Sequence, residues 1–134
     1  MKIFSKQISN YFKLQKEKED KDRYERFFNE TGELLALGNT KGYFSELNPA
    51  FYEKLGYEKT ELLETPFIDL IHPEDIDRTK EEIKQLENET ATVSFTNRCR
   101  TKKGNFLRLA WSMTLKPDNQ DILYFSAKDI TAQY

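Results

Sequence analysis

The stretch "KGYFSELNPAFYEKLGY", residues 41–57, reads as a strand, a helix and the turn that closes it. Residues 43–47 carry the strand. Asn48 suits a helix N-cap, because its side-chain oxygen accepts from amides of the first helical turn. Pro49 follows at the first helical position, where its missing N–H costs nothing and its φ is preset. Phe51, Tyr52 and Leu55 supply the buried side, and Gly56 suits the left-handed residue that ends a helix. Nothing in the stretch reads as a nucleophile, a phosphate loop or a metal site.

Upstream, "ELLAL" (33–37) is a short apolar strand and "GNTKG" (38–42) a turn, so residues 33–47 read as a hairpin. Downstream, residues 59–64 and 67–71 are short helical pieces parted by Pro66. "HPEDIDRTKEEIKQLEN" (72–88) opens with Pro73 and acidic residues, as a helix N-terminus prefers, and Ile76, Ile83 and Leu86 mark its buried face. Three strands follow, at 92–100, 106–115 and 122–130, separated by turns at 101–105 and 116–121. In the first, Val93, Phe95, Asn97 and Cys99 alternate with Ser94, Thr96, Arg98 and Arg100. In the second, Leu107, Leu109, Trp111 and Met113 alternate with Arg108, Ala110, Ser112 and Thr114. Two strands, several short helices and three strands predict an α+β fold: a five-stranded antiparallel sheet with helices on one face.

Residues 4–30 differ in kind. They contain no Gly or Pro, and their middle is almost all charge. Glu17–Lys21, Glu19–Arg23 and Asp22–Arg26 have the favourable acid-before-base order at four-residue spacing. Apolar residues gather at the ends: Phe4, Ile8, Tyr11 and Phe12, then Tyr24, Phe27 and Phe28. Gln15 and Lys18 interrupt any heptad. The helix is either a solvated one packed on its own domain or a connector; the expectation is a helical connector or dimerisation segment over 1–30, a homodimer formed through it, and a globular domain over 31–134.

The 134 residues suit one core, and ten Phe and seven Tyr can fill it. One third of the residues are charged, yet the net charge is −2, which argues against a nucleic-acid or anionic-membrane surface. No stretch approaches a membrane span, and no apolar signal-peptide core follows Met1. A lone cysteine, Cys99, excludes a disulfide framework and a multi-thiolate metal site, so a cytoplasmic location is expected. Nothing closes off the C-terminus, and an output domain on the same polypeptide is expected.

Five local signatures together resemble a PAS domain over about residues 30–131. Asn48-Pro49-Ala50-Phe51 with Leu55-Gly56-Tyr57 resembles that family's first helix, and His72-Pro73-Glu74-Asp75 its turn before the long helix. Arg98-Cys99-Arg100-Thr101-Lys102-Lys103-Gly104 resembles its "R-x-R-x-K-D-G" hairpin, with Lys103 in place of the usual Asp. Leu109-Ala110-Trp111-Ser112 resembles the strand after it, and Asp129-Ile130-Thr131 the tripeptide that ends the domain. The resemblance implies a signal-input module of the kind found upstream of histidine kinases, cyclic-dinucleotide enzymes or transcription factors. Some relatives bind haem, flavin or a small metabolite between sheet and helices; many act in dimerisation or relay. Asp129, Ile130 and Thr131 would then be the signal-output hinge.

Function has to be read from the site, because one fold carries many roles. His72, the single histidine, is either a haem axial ligand or a structural residue at a helix start. The resemblance favours the second, since family haem ligands lie further along the long helix and residues 75–88 hold no His, Cys or Met. Light-sensing relatives carry their cysteine on the short helix matching residues 67–71, where this chain has none, so flavin–cysteinyl photochemistry is not expected. Cys99 reads as a small buried hydrophobe. Asn97 reads as a buried amide, satisfied by core backbone groups, by water or by a polar ligand. The inward set around it is Phe51, Phe67, Ile71, Ile83, Phe95, Leu107, Leu109, Trp111, Met113, Phe125 and Ala127. That set either lines a ligand pocket or fills the cup, and its aromatic content favours filling. Trp111 is expected against Phe95 and the helix of residues 75–88. Arg98, Arg100 and Arg108 lie on the opposite sheet face with Tyr124; they are solvated, or pair with acidic groups on a covering helix, for which those of residues 17–25 in the same chain or a partner are available, or read an anion. No Ser–His–Asp order, carboxylate dyad, Gly-rich phosphate loop or CxxC is present. The expectation is a non-catalytic sensor or relay without haem, flavin or metal, with a small apolar or weakly polar metabolite as the remaining ligand class. The alternative is a ligand-free scaffold for protein–protein interaction or dimerisation.

Overall fold

The computed structural model describes residues 2–87, 92–115 and 121–133, and of residues 2–13 and 87 the backbone alone. The chain divides into two compact units, Met1–Thr31 and Gly32–Tyr134. The first is one helix, α1 (Lys2–Glu30). Among its described side chains the ion pairs are Lys21–Glu25 at 3.9 Å and Asp20–Arg23 at 3.4 Å, a different set from the three read off the four-residue spacing. Long exposed side chains reach a partner one turn either way, so sequence spacing does not select among such pairs. Tyr24 stacks on Phe28, while Leu14, Tyr24 and Phe27 are exposed. The side chains of Phe4, Ile8, Tyr11 and Phe12 lie outside the described residues.

The second unit is built on five antiparallel strands: β1 (Leu34–Asn39), β2 (Phe44–Leu47), β3 (Thr92–Arg100), β4 (Phe106–Leu115) and β5 (Ile122–Asp129). Their order across the sheet is β2-β1-β5-β4-β3. Phe95 pairs with Trp111 and Asn97 with Leu109; Trp111 pairs in turn with Ala127, and Met113 with Phe125. This register puts one set of alternating side chains from β3, β4, β5 and β1 on a single face. The turn expected at 116–121 falls mostly outside the described residues.

β1 runs two residues further than its apolar segment, through Gly38 to Asn39, because pairing with β5 continues to Asn39–Ile122. A Cβ on Gly38 would lie 2.6 Å from the Phe125 ring and 2.9 Å from the Tyr43 carbonyl, and the β1–β2 register shifts there. Glycine is therefore the residue that lets Phe125 lie flat across the hairpin.

The helices cover the inward face. In α2 (Pro49–Leu55) the cap does more than start a helix. Asn48 Oδ1 accepts from the amides of Phe51 (3.1 Å) and Leu35 (3.0 Å), and Nδ2 donates to the Glu33 carbonyl (2.8 Å). One buried amide thus fastens α2 to β1. Gly56 ends the helix at φ 82°, and its N–H donates to Tyr52 O. A short α3 (Lys59–Leu63) and a 3-10 turn (Phe67–Leu70) follow.

The segment 72–88, read as one helix, is three pieces: a 3-10 turn at Pro73–Asp75, α4 (Ile76–Lys84) and a 3-10 turn at Gln85–Glu87. The first turn stays separate because its side chains are committed elsewhere: His72 caps it, and Asp75 bonds β3. Ile76 and Ile83 are only half-buried; the fully buried residue between them is Thr79.

Candidate functional site

The inward set meets in the space between sheet and helices. Phe51, Phe67, Ile71, Phe95, Asn97, Cys99, Leu109, Trp111, Met113, Phe125 and Ala127 are all buried there. Leu107 and Ile83 are half-buried and pack on the rim of the cluster. The centre is occupied by aromatic rings. Trp111 meets Phe67 edge-on at 5.2 Å and Phe51 at 5.9 Å, and Phe67 lies 5.7 Å from Phe125. Offset and edge-to-face contacts at these distances favour such clusters beyond their buried area. Phe44 of β2 completes the cluster, 5.1 Å from Phe51, 5.4 Å from Phe125 and 5.7 Å from Phe67. Sequence reasoning missed it, because a four-residue strand with its first and last residues buried shows no alternation to place Phe44.

Asn97 sits among these rings and is satisfied within the protein. Its Oδ1 accepts from Trp111 Nε1 at 2.7 Å, and its Nδ2 donates to Thr79 Oγ1 at 3.3 Å. Cys99 Sγ donates to the same Oδ1 at 3.5 Å. The partners are three side chains, where the sequence had left open backbone, water or ligand. Among the described residues, every buried side-chain nitrogen and oxygen has a partner. Trp111 is flanked by Phe95 across the ladder, but the rings packed on it come from α2, the Phe67–Leu70 turn and Phe125 of β5; its link to α4 runs through Asn97 to Thr79. Burial pushes the Cys99 thiol up to about 12, so it stays protonated and is a poor nucleophile near neutral pH.

His72 has a structural role. Its Nδ1 accepts from the Glu74 amide (3.1 Å), its own amide donates to Arg98 O (2.8 Å), and its ring lies against Phe106. The outer edge of β3 is closed by the residues that follow. The Arg98 guanidinium grips Asp75 at both oxygens (3.0 and 2.8 Å), and the Arg98 amide donates to Asp75 Oδ2 as well (2.9 Å). Glu74 lies 3.2 Å from the same guanidinium, and Arg78 donates to Thr96 O at 2.6 Å. The Arg98 hydrogen bond, set against the opposing effect of burial, holds the Asp75 carboxyl well below the usual carboxylate range. Asp75 and Glu74, not acidic residues of 17–25, are therefore the partners of Arg98. Arg100 donates to the Asp69 carbonyl at 3.3 Å. With Arg98 and Arg100 so committed, Arg98, Arg100 and Arg108 do not converge on one anion.

Asp129, Ile130 and Thr131 tie the end of β5 to its neighbours. Asp129 pairs with Lys54 of α2 at 3.0 Å and accepts from the Thr131 amide at 2.9 Å. Thr131 Oγ1 accepts from the Arg108 amide, and the Ile130 amide donates to Arg108 O, both at 2.9 Å. Burial would raise the Asp129 pKa, but the bonds from Thr131 and Lys54 outweigh it and lower it. Beside this pair, α2 and the ends of β1 and β5 bound a cleft of about 610 Å³. Among the described residues, no group of three or more His, Cys, Asp or Glu is placed to hold a metal ion.

A family model described as PAS fold matches residues 44–126. The structure is similar to the PAS domain of a protein from Colwellia psychrerythraea, with a TM-score of 0.75, 15% identity, and coverage of 83% of this chain and 97% of that one. It is also similar to a domain of a sensory box sensor histidine kinase/response regulator from Geobacter sulfurreducens (TM-score 0.69, 18% identity, 82% and 94% covered). A third similar structure is PAS-B of Drosophila melanogaster Cycle, W398A, with bound glycerol (TM-score 0.62, 23% identity, 72% and 96% covered). The comparison with curated proteins gave no match.

The Asp75–Arg98 contact makes stability pH-dependent in a defined direction. A carboxylate whose folded pKa lies below its unfolded value contributes fully above the unfolded value, near pH 3.9, and loses that contribution as pH falls through the folded one. Asp75→Asn should therefore be less stable than wild type at neutral pH, with the gap narrowing below about pH 4. Urea midpoints of both proteins from about pH 7 to about pH 2.5 read this out, and a constant gap would show that Asp75 is not bound as described.

Proposed function

The chain belongs to the PAS family, and on that premise we propose that it is a non-catalytic signal-sensing or signal-relay module, the input part of a sensor histidine kinase or a similar signalling protein. The similarity to a domain of a sensor histidine kinase/response regulator supports the context. The observation that carries the relay reading is the interior. Five aromatic rings, from Phe44, Phe51, Phe67, Trp111 and Phe125, fill the cup, and its one buried amide is bonded to Trp111, Thr79 and Cys99. The two residues that could ligate haem iron or form a flavin adduct are otherwise engaged, which supports a reading without either group. His72 spends Nδ1 on a helix cap, and Cys99 is a protonated thiol held against Asn97.

Signal then passes as displacement of packed elements. Lys54 joins α2 to Asp129, so a shift of α2 reaches the segment that leads out of the domain. α1 is the other connection, and its exposed Leu14, Tyr24 and Phe27 favour a homodimer formed along it. The module acts in the cytoplasm, attached to an output domain. No helix among the described residues is long and apolar enough to cross a membrane.

The as-purified protein should be colourless and should release no small-molecule chromophore on denaturation. An absorption spectrum with mass spectrometry of the released material tests this; a Soret band or released flavin fluorescence would sink the relay reading.

Sedimentation of residues 1–134 should show a concentration-dependent dimer, while residues 30–134 should stay monomeric. Equal dimerisation of both would move the interface to the sheet face of Arg98, Arg108 and Tyr124.

A further inference from the structure

Outside the filled core, a groove of about 330 Å³ runs between the β1–β2 turn, the Phe67–Leu70 turn and α4. Its floor is apolar: Pro66, Phe67, Ile68 and Ile83. Its rim carries Lys41 on one side and Lys80 and Lys84 on the other. All three lysines are exposed, and no acidic side chain lines the groove among the described residues. Lys84 lies 4.0 Å from Glu81, at the limit of an ion pair; Lys41 and Lys80 have no ion pair among the described residues. Lys80 and Lys84 are four residues apart on α4, a like-charge spacing that costs a helix stability. Helix stability alone does not account for three lysines lining one groove with an apolar floor.

We propose that this groove binds a small amphipathic anion, an apolar chain with one carboxylate or phosphate head. The chain would lie on Pro66, Ile68 and Ile83, and the head would sit among the three ammonium groups. The volume is at the lower end of ligand sites and suits a single chain. Lysine suits the head because it acts as a compact, mobile point charge with no fixed geometry to satisfy.

The site is separate from the space between sheet and helices, and Phe67 is the partition. Phe67 lines the groove, and its ring meets Trp111 at 5.2 Å and Phe44 and Phe125 at 5.7 Å on the inward side. Its amide also donates to Gly42 O at 2.7 Å, which joins two of the groove's walls. An occupant would therefore press on a ring that touches the sheet without entering the core. The inference holds whether or not the domain serves a kinase, since it rests on the groove alone.

The test is an amide and indole NMR titration of residues 1–134 with decanoate, decyl phosphate and decanol, each below its aggregation range. The expected result is saturable shifts at Lys41, Gly42, Ile68, Lys80 and Ile83 and at the Trp111 indole for one or both anions. Which anion binds identifies the head group. Lys80→Gln/Lys84→Gln should weaken anion binding about tenfold or more, with a melting temperature no lower than wild type because the like-charge pair on α4 is relieved. Lys41→Gln, on the opposite wall, should weaken it independently. Decanol binding as tightly as the anions would reduce the groove to a nonspecific apolar patch and overturn the proposal. So would shifts confined to other residues, or affinities insensitive to both sets of lysine substitutions.

Discussion

A carboxamide enclosed by aromatic rings must find hydrogen bonds among its neighbours, since leaving one buried partner unmet costs about 1–3 kcal/mol. Asn97 imposes that condition on this domain. Its oxygen requires the Trp111 indole N–H, which sets the rotamer of the largest side chain in the core. Its nitrogen requires Thr79, which sets how α4 lies against β3. The 2.7 Å contact to Trp111 is short for a neutral pair and leaves little slack. Once Trp111 is held, Phe51 and Phe67 pack on its faces and edges, and Phe44 and Phe125 fill the remainder. The polar centre of the cup is satisfied from within, which is what the relay proposal requires of it.

The same logic recurs elsewhere, with a second buried amide and with charged groups. Asn48 fastens α2 to β1, Asp75 fastens the Pro73–Asp75 turn to the outer strand, and Lys54 fastens α2 to the end of β5. Arg98, Arg78 and the Ile71–Cys99 bridge also occupy polar groups on the outer edge of β3, which would otherwise offer itself to another strand. Under the relay proposal, an aromatic interior with polar clips at its margins would pass movement of one element to the next. That is what the relay proposal asks of it, and α2 with its Lys54–Asp129 clip is the shortest route from core to exit.

The sheet was legible because alternation is a strong signal. β3 alternates inside and outside along its nine residues and β4 along its middle, from Arg108 to Met113, and both appear with the expected bounds. Asn97 was placed inside by that pattern, but its partners lie 14 and 18 residues away, beyond anything periodicity encodes. Thr79 went unnoticed because a lone hydroxyl on a charged helix reads as surface. Phe44 escaped because β2 is too short to show a period. The partner of Arg98 was sought in the acidic run of residues 17–25; composition favours the densest acidic stretch, whereas the fold brings Asp75 to within 3.0 Å from 23 positions away. The lysine-rimmed groove has no local signature at all, since its walls come from residues 41–42, 66–68 and 80–84.

The central claim is that the interior is closed around the Asn97–Trp111 hydrogen bond. Hydrogen exchange of the Trp111 indole N–H, followed by NMR under native conditions, tests it most directly. The account predicts exchange only through global unfolding, with an opening free energy equal to that from urea denaturation. Exchange through a much smaller opening would mean that water reaches the cup in the folded state, and would contradict it.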